Sequence, residues 1–171
     1  MIQISVSGIV PPLKQDKQNG CWATVATIML SWKDQKSYNI SDVLNQAGVN
    51  QSGVEYTKIY DADTGLSTKD FPDLIQNLKL SDEPLQDYTF NGFKNLLESY
   101  GPIWVIIAPN PNIPVSLHAV VVTGINGDDS SWLFTIIDPS DGTEKQVDSN
   151  TLNRKIDAVS PDLTIQVVHF P

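Results

Sequence analysis

The 171 residues carry a formal net charge of −9, from 11 lysines and arginines against 20 aspartates and glutamates. So acidic a surface repels phosphate backbones and anionic lipid, which sets nucleic acid and membrane surfaces aside as partners. The length fits one domain, with a helical part over about 12–100 and a sheet part over about 101–171; the lone cysteine cannot form an internal disulfide, so stability rests on packing.

Ile2 to Val6 alternates like a short strand, and Pro11-Pro12 closes it. This start lacks a basic segment followed by a long apolar core, so no cleaved secretory signal is expected. The longest apolar runs, such as Ile103 to Ala108, are too short to cross a bilayer. From Cys21, residues Trp22, Val25, Ile28, Met29 and Trp32 recur at helical spacing, with Asn19 or Gly20 as the N-cap. No polar residue interrupts that face, so the helix is expected to be buried and central.

A second helix is expected from Ser41 as N-cap through Val43 and Leu44 to Gly48. Residues 48–66 read as irregular. Ser67 or Thr68 caps a third helix through Phe71, Leu74, Ile75 and Leu78, with Pro72 in its first turn. Asn91 caps a fourth, which ends at Tyr100-Gly101-Pro102.

After Gly101 the pattern becomes β-branched and aromatic: Ile103 to Ala108, Leu117 to Ile125, and Trp132 to Asp138. Asn126-Gly127-Asp128-Asp129 predicts a hairpin turn between the last two. Pro139-Ser140-Asp141-Gly142 predicts another turn, before strands at Lys145 to Val147 and Leu163 to Phe170. Helices followed by antiparallel strands predict an α+β fold, with two layers meeting at one core.

The chemistry centres on Cys21. A helix N-terminus favours the negatively charged thiolate, and a nearby imidazolium can both stabilise it and protonate a leaving amine. A lone cysteine is more often a small buried residue, so its neighbours decide the matter. Gln15 precedes it by six positions and could donate, with the Cys21 N–H, to an oxyanion; Gln18 competes for that role. Trp22 can shield a thiolate–imidazole pair or simply pack in the core. Gly20 permits close approach on the substrate side or serves as a turn residue.

Of the two histidines, His118 opens an apolar strand, whereas His169 lies near the C-terminus and reads as a cap on the last strand. His118 is therefore the candidate base, although a histidine in such a strand is often only a satisfied core or edge residue. Asp138 is the candidate orienting acid: the midpoint of positions 118 and 138 is 128, inside the predicted turn. Asp138-Pro139 would equally serve to start a turn. Asp61-Ala62-Asp63-Thr64-Gly65 begins like a calcium loop, but Pro72 stands where the closing glutamate belongs. One cysteine and two distant histidines make a zinc site a poor fit.

Taken together, Gln15 to Trp32, Gly101 to Val105, His118 to Ile125 and Ile137-Asp138-Pro139 resemble the papain-like cysteine peptidases, closest to the small bacterial AvrRpt2-like effector proteases. The resemblance spans about residues 12–147. It implies a papain-like fold: a helical part with a central nucleophile helix, packed on a C-terminal antiparallel twisted sheet. It also implies catalytic Cys21, His118 and Asp138, with Gln15 in the oxyanion hole. A protein or peptide substrate, no cofactor and a monomer are expected. So are a cytoplasmic or signal-independently exported effector or toxin, with a cognate inhibitor or immunity protein. The chain starts almost at the nucleophile segment, so no regulatory propeptide is expected. Two alternatives use the same residues differently: a cysteine amidase, deamidase or transglutaminase, or an inactive papain-like binding module.

Overall fold

The computed structural model describes residues 1–113 and 116–171; the sequence leaves 108–116 as a loop expected to shape substrate subsites, and its Pro114 and Val115 lie outside the described residues. In chain order the elements are β1 (Ile2–Ser5), α1 (Cys21–Asp34), α2 (Ile40–Ala47), α3 (Tyr56–Asp61), α4 (Phe71–Asn77), β2 (Ser81–Asp82), α5 (Phe90–Tyr100), β3 (Ile103–Ile107), β4 (His118–Asp128), β5 (Ser131–Asp138), β6 (Thr143–Asp148), α6 (Ser149–Asp157) and β7 (Val167–His169). All strands pair antiparallel in one sheet of order β2-β7-β3-β4-β5-β6, and β1 pairs with the outer half of β4.

The sheet is covered on both faces. On one side Trp104, Ile106, Ala119, Val121, Ile137 and Val168 pack with α1, α2 and α4. On the other, Val105, Val120, Val122, Phe134, Ile136 and Val167 pack with Phe93 and Leu97 of α5 and Leu152 and Ile156 of α6. The expected two layers around one core are thus corrected to three layers around two. The unbroken burial of Ile103–Ile107 has this cause, since a strand shielded on both faces has no reason to alternate.

Helix α1 is buried on every side from Trp22 to Ser31. Its threonines are accommodated because Thr24 and Thr27 donate their hydroxyls to the carbonyls of Gly20 and Ala23 at 2.9 and 2.8 Å. Each large apolar side chain buried here, such as Ile28 or Met29, contributes about 1.5–3 kcal/mol of transfer free energy. A central helix held so firmly fixes the position of its first residue, Cys21.

Several local expectations are corrected. Asn39, whose side chain accepts from Asp42 N, caps α2 in place of Ser41, and Thr89 caps α5 in place of Asn91. The segment 48–66 contains helix α3. The hairpin turn falls later than expected: Asn126 and Gly127 pair with Leu133 and Trp132 inside the sheet, and Asp128 pairs with Ser131. The turn at residues 129–130 is fastened by Ser130, whose N–H and hydroxyl both donate to Asp128 Oδ1. His169 is buried, stacked on Tyr100 at 3.8 Å between ring centroids, with Nε2 2.7 Å from Glu83 Oε1.

Candidate active site

Cys21 is the first residue of α1, and Gly20 is its N-cap. A Cβ at Gly20 would lie 3.1 Å from the Tyr60 ring and 3.3 Å from the Lys17 carbonyl. Glycine lets the loop press against α3. The same loop is fastened by Tyr60, whose hydroxyl donates to Asp16 Oδ1, and by Asn19. Asn19 N–H donates to Asp63 Oδ1 at 2.8 Å, and its amide donates to the Asp63 carbonyl at 2.7 Å. The carboxylate that resembled a calcium ligand therefore serves the loop before Cys21.

Gln15 lies at the base of this loop. Its backbone N–H donates to the Pro139 carbonyl at 2.8 Å, joining the loop to the turn beside Asp138. Its Nε2 donates to the Lys17 and Gln18 carbonyls at 2.9 and 2.8 Å, while its buried Oε1 has no hydrogen-bond partner among the described residues. Gln18, the competing residue, is exposed and lines the cleft in front of Cys21. Trp22 both packs and lines: it sits edge-on to Tyr60 at 6.2 Å between centroids and reaches the cleft wall.

That cleft has a volume of about 470 Å³ and is lined by Cys21, Trp22, Gln18, His118 and Trp104, together with residues Thr64 to Thr68. His118 begins β4, and its Nε2 lies 2.7 Å from Asp138 Oδ1 at the end of β5. A carboxylate only accepts, so Nε2 carries a proton and Nδ1 is the ring nitrogen left for another partner. Cys21 lies near enough to this imidazole to bear on its protonation, and both residues line the same cleft. Burial disfavours the imidazolium, but the hydrogen bond to Asp138, followed by the Cys21 contact and charge, raises the His118 pKa to about 9.

Asp138 shows the complementary shift. Burial works against its charge, yet the hydrogen bonds from His118 and from the Ser140 hydroxyl and N–H hold it well below the usual carboxylate range. Ser140 donates to Oδ1 from its hydroxyl at 2.7 Å and its N–H at 3.0 Å, while Lys145 Nζ approaches Oδ2 at 3.2 Å. Neither residue stood out in the sequence. Asp138-Pro139-Ser140 does carry a readable Asx-turn spacing, whereas Lys145 becomes visible only when the register is known: it pairs with Ile136, diagonal to Asp138. No group of three or more metal-ligating side chains occurs among the described residues.

The family profile described as papain-like cysteine protease AvrRpt2 matches residues 6–157. No curated protein sequence matches significantly. Among solved structures, a chain described as a C39-like peptidase from Bacillus anthracis aligns over 98% of this chain and 96% of its own, with 16% identity and a TM-score of 0.65. The peptidase domain of Streptococcus ComA, a bifunctional ABC transporter of a quorum-sensing pathway, aligns over 95% and 97%, with 12% identity and a TM-score of 0.55. Both likenesses concern the fold.

Proposed function

The chain belongs to the papain-like cysteine protease family of AvrRpt2, and from that premise we propose that it hydrolyses peptide or isopeptide bonds with Cys21 as nucleophile, His118 as acid and base, Asp138 as orienting acid and Gln15 in the oxyanion hole. The observation that carries the reading is the His118 Nε2–Asp138 Oδ1 contact of 2.7 Å, with its imidazole beside Cys21 in one cleft.

In this mechanism the Cys21 thiolate attacks the substrate carbonyl carbon, and the carbonyl electrons move onto oxygen. The Cys21 N–H is one donor to that oxyanion. Gln15 Nε2 is the other, exchanging a bond to a neutral backbone carbonyl for a stronger one to a charged oxygen. As the tetrahedral intermediate collapses, the carbon–nitrogen bond breaks and the His118 imidazolium protonates the departing amine. The neutral imidazole then takes a proton from water, whose oxygen attacks the thioester. The carboxylic acid leaves and the Cys21–His118 pair is restored.

Incubation with a peptide library, read by mass spectrometry, tests this reading. New peptide termini, absent with Cys21→Ala and with His118→Ala, are expected. Full cleavage by Cys21→Ala would overturn it. A mass gain of about one dalton at glutamine, without new termini, would instead indicate deamidation by the same acyl chemistry.

A further inference from the structure

We propose that Lys145 is a positioning residue for the Cys21–His118 pair: it shares the Asp138 carboxylate with His118 and limits how tightly that carboxylate holds the imidazole proton. The inference rests on the proposed pairing of Cys21 with His118.

Strand register places the three groups in a row. Lys145 pairs with Ile136, Asp138 with Thr143, and Val122 with Ile136, so His118, Asp138 and Lys145 fall on one face of three adjacent strands. Asp138 sits in the middle. Its Oδ1 receives His118 Nε2 at 2.7 Å, the Ser140 hydroxyl at 2.7 Å and the Ser140 N–H at 3.0 Å. Its Oδ2 receives Lys145 Nζ at 3.2 Å. Lys145 in turn binds Asp141 Oδ2 at 2.8 Å, and Asp141 is held by the hydroxyl and N–H of Thr143. Outward from the cleft, the ionisable groups are Cys21, His118, Asp138, Lys145 and Asp141, and with Cys21 as thiolate their charges alternate in sign.

The two sides of Asp138 have different jobs. Ser140 is its neighbour in the turn and fixes the carboxylate's direction through Oδ1, so the geometry facing His118 does not require Lys145. What Lys145 adds is a positive charge on the far oxygen. A carboxylate facing one cation stabilises it more than a carboxylate divided between two. Without Lys145, Asp138 would bind the His118 proton more firmly, leaving a weaker acid to protonate the departing amine. Asp141 sets how much of Lys145 is available, because the ammonium is shared between the two carboxylates. The charged groups facing the imidazole are therefore Cys21 from α1 and Asp138 from β5. Lys145 from β6 and Asp141 from the turn act through Asp138.

The test requires no known substrate. Cys21 is the sole cysteine, so alkylation by iodoacetamide reports one site in the full chain, followed from about pH 5 to about pH 10. The limb of the rate profile that His118→Ala abolishes belongs to His118. In Lys145→Met that limb is expected to move upward by about half a pH unit. In Asp141→Asn, which leaves Lys145 to Asp138 alone, it is expected to move downward. Lys145→Arg, which keeps the charge, should restore the original position. A packing role for Lys145 would not produce shifts of opposite sign in the two neutralising variants. An unmoved or lowered limb in Lys145→Met, or an upward shift in Asp141→Asn, overturns the proposal while leaving the Cys21–His118 pairing intact. If His118→Ala alkylates with the unaltered profile, that pairing fails, and the role of Lys145 falls with it.

Discussion

His118 and Asp138 meet along a diagonal of the sheet. Val121 stands opposite Ile137, which carries Asp138 toward Val120, two positions from His118 on the same face of β4. Side chains on such a diagonal reach one another when they are long enough, and here Nε2 and Oδ1 close to 2.7 Å. The contact makes the pair a single electrostatic unit with consequences for both activity and stability.

The first prediction concerns pH. The His118 pKa is raised from 6.5 to about 9, so hydrolysis should decline on the alkaline side through about pH 9 as the imidazolium loses its proton. Asp138→Asn removes the charge that helps sustain this value. The alkaline limb should then fall toward 6.5, and kcat should drop by about tenfold or more. A pH–rate profile of the two proteins on one cleaved peptide measures both effects.

Stability should follow the same pair. A group raised on folding stabilises fully below its unfolded value, so the His118 contribution is complete below about pH 6.5 and disappears as pH rises through about 9. Asp138 is lowered on folding, so its contribution is present above its ordinary value of 3.8 and is lost as pH falls below that. The difference in thermal midpoint between the native chain and Asp138→Asn should be widest between these limits and shrink at both ends. Midpoints recorded across the pH range check this.

Gln15 and Gln18 should separate kinetically. Gln15→Ala removes the proposed oxyanion donor and should lower kcat about a hundredfold. It also removes two bonds that order the loop, at about 1 kcal/mol each. Gln18 is exposed along the cleft, so Gln18→Ala should raise KM and leave kcat nearly unchanged. Steady-state kinetics of the two variants on one peptide distinguish the roles, and the reverse pattern would transfer the donor role to Gln18.

Much of this site could be read in the sequence because its parts sit on strongly patterned elements. The buried face starting at Cys21 announced α1, and the apolar runs announced the strands bearing His118 and Asp138. Less legible were elements with few apolar anchors. α6 buries only Ser149, Leu152 and Ile156, and the six-residue α3 buries Tyr56 and Tyr60. Asn126-Gly127 gave a strong turn signal that tertiary packing overrode: at Gly127 a Cβ would meet the Ser131 carbonyl at 2.2 Å, so glycine is there for close strand approach. The register error was small enough that Asp138 still reached His118.

The join between the Gln15 loop and the Asp138 turn supplies the last prediction. Gly142 has φ +69°, and a Cβ there would lie 2.6, 2.8 and 2.9 Å from Lys14 Cβ, N and Cα. Two of those atoms are backbone, so rotating a side chain cannot relieve the clash. Gly142→Ala must therefore push residue 14 away from the turn and strain the adjacent Gln15 N–H to Pro139 carbonyl bond of 2.8 Å. Left-handed strain and overpacking together should cost about 3 kcal/mol or more. Gly48 provides the control: its φ is +75°, but a Cβ there would meet nothing within 4 Å. Its ψ of −114° places it outside the left-handed helical region, so Gly48→Ala should cost backbone strain alone, about 1–3 kcal/mol, with kcat unchanged. Because Gly142→Ala disturbs both the Gln15 loop and the Asp138 turn, it should lower kcat in the fraction that remains folded if those residues have their proposed roles. Denaturant melts paired with kinetics on both variants test this, and equal losses of stability and activity at the two glycines would show that the contact with Lys14 does not couple the loop to the acid.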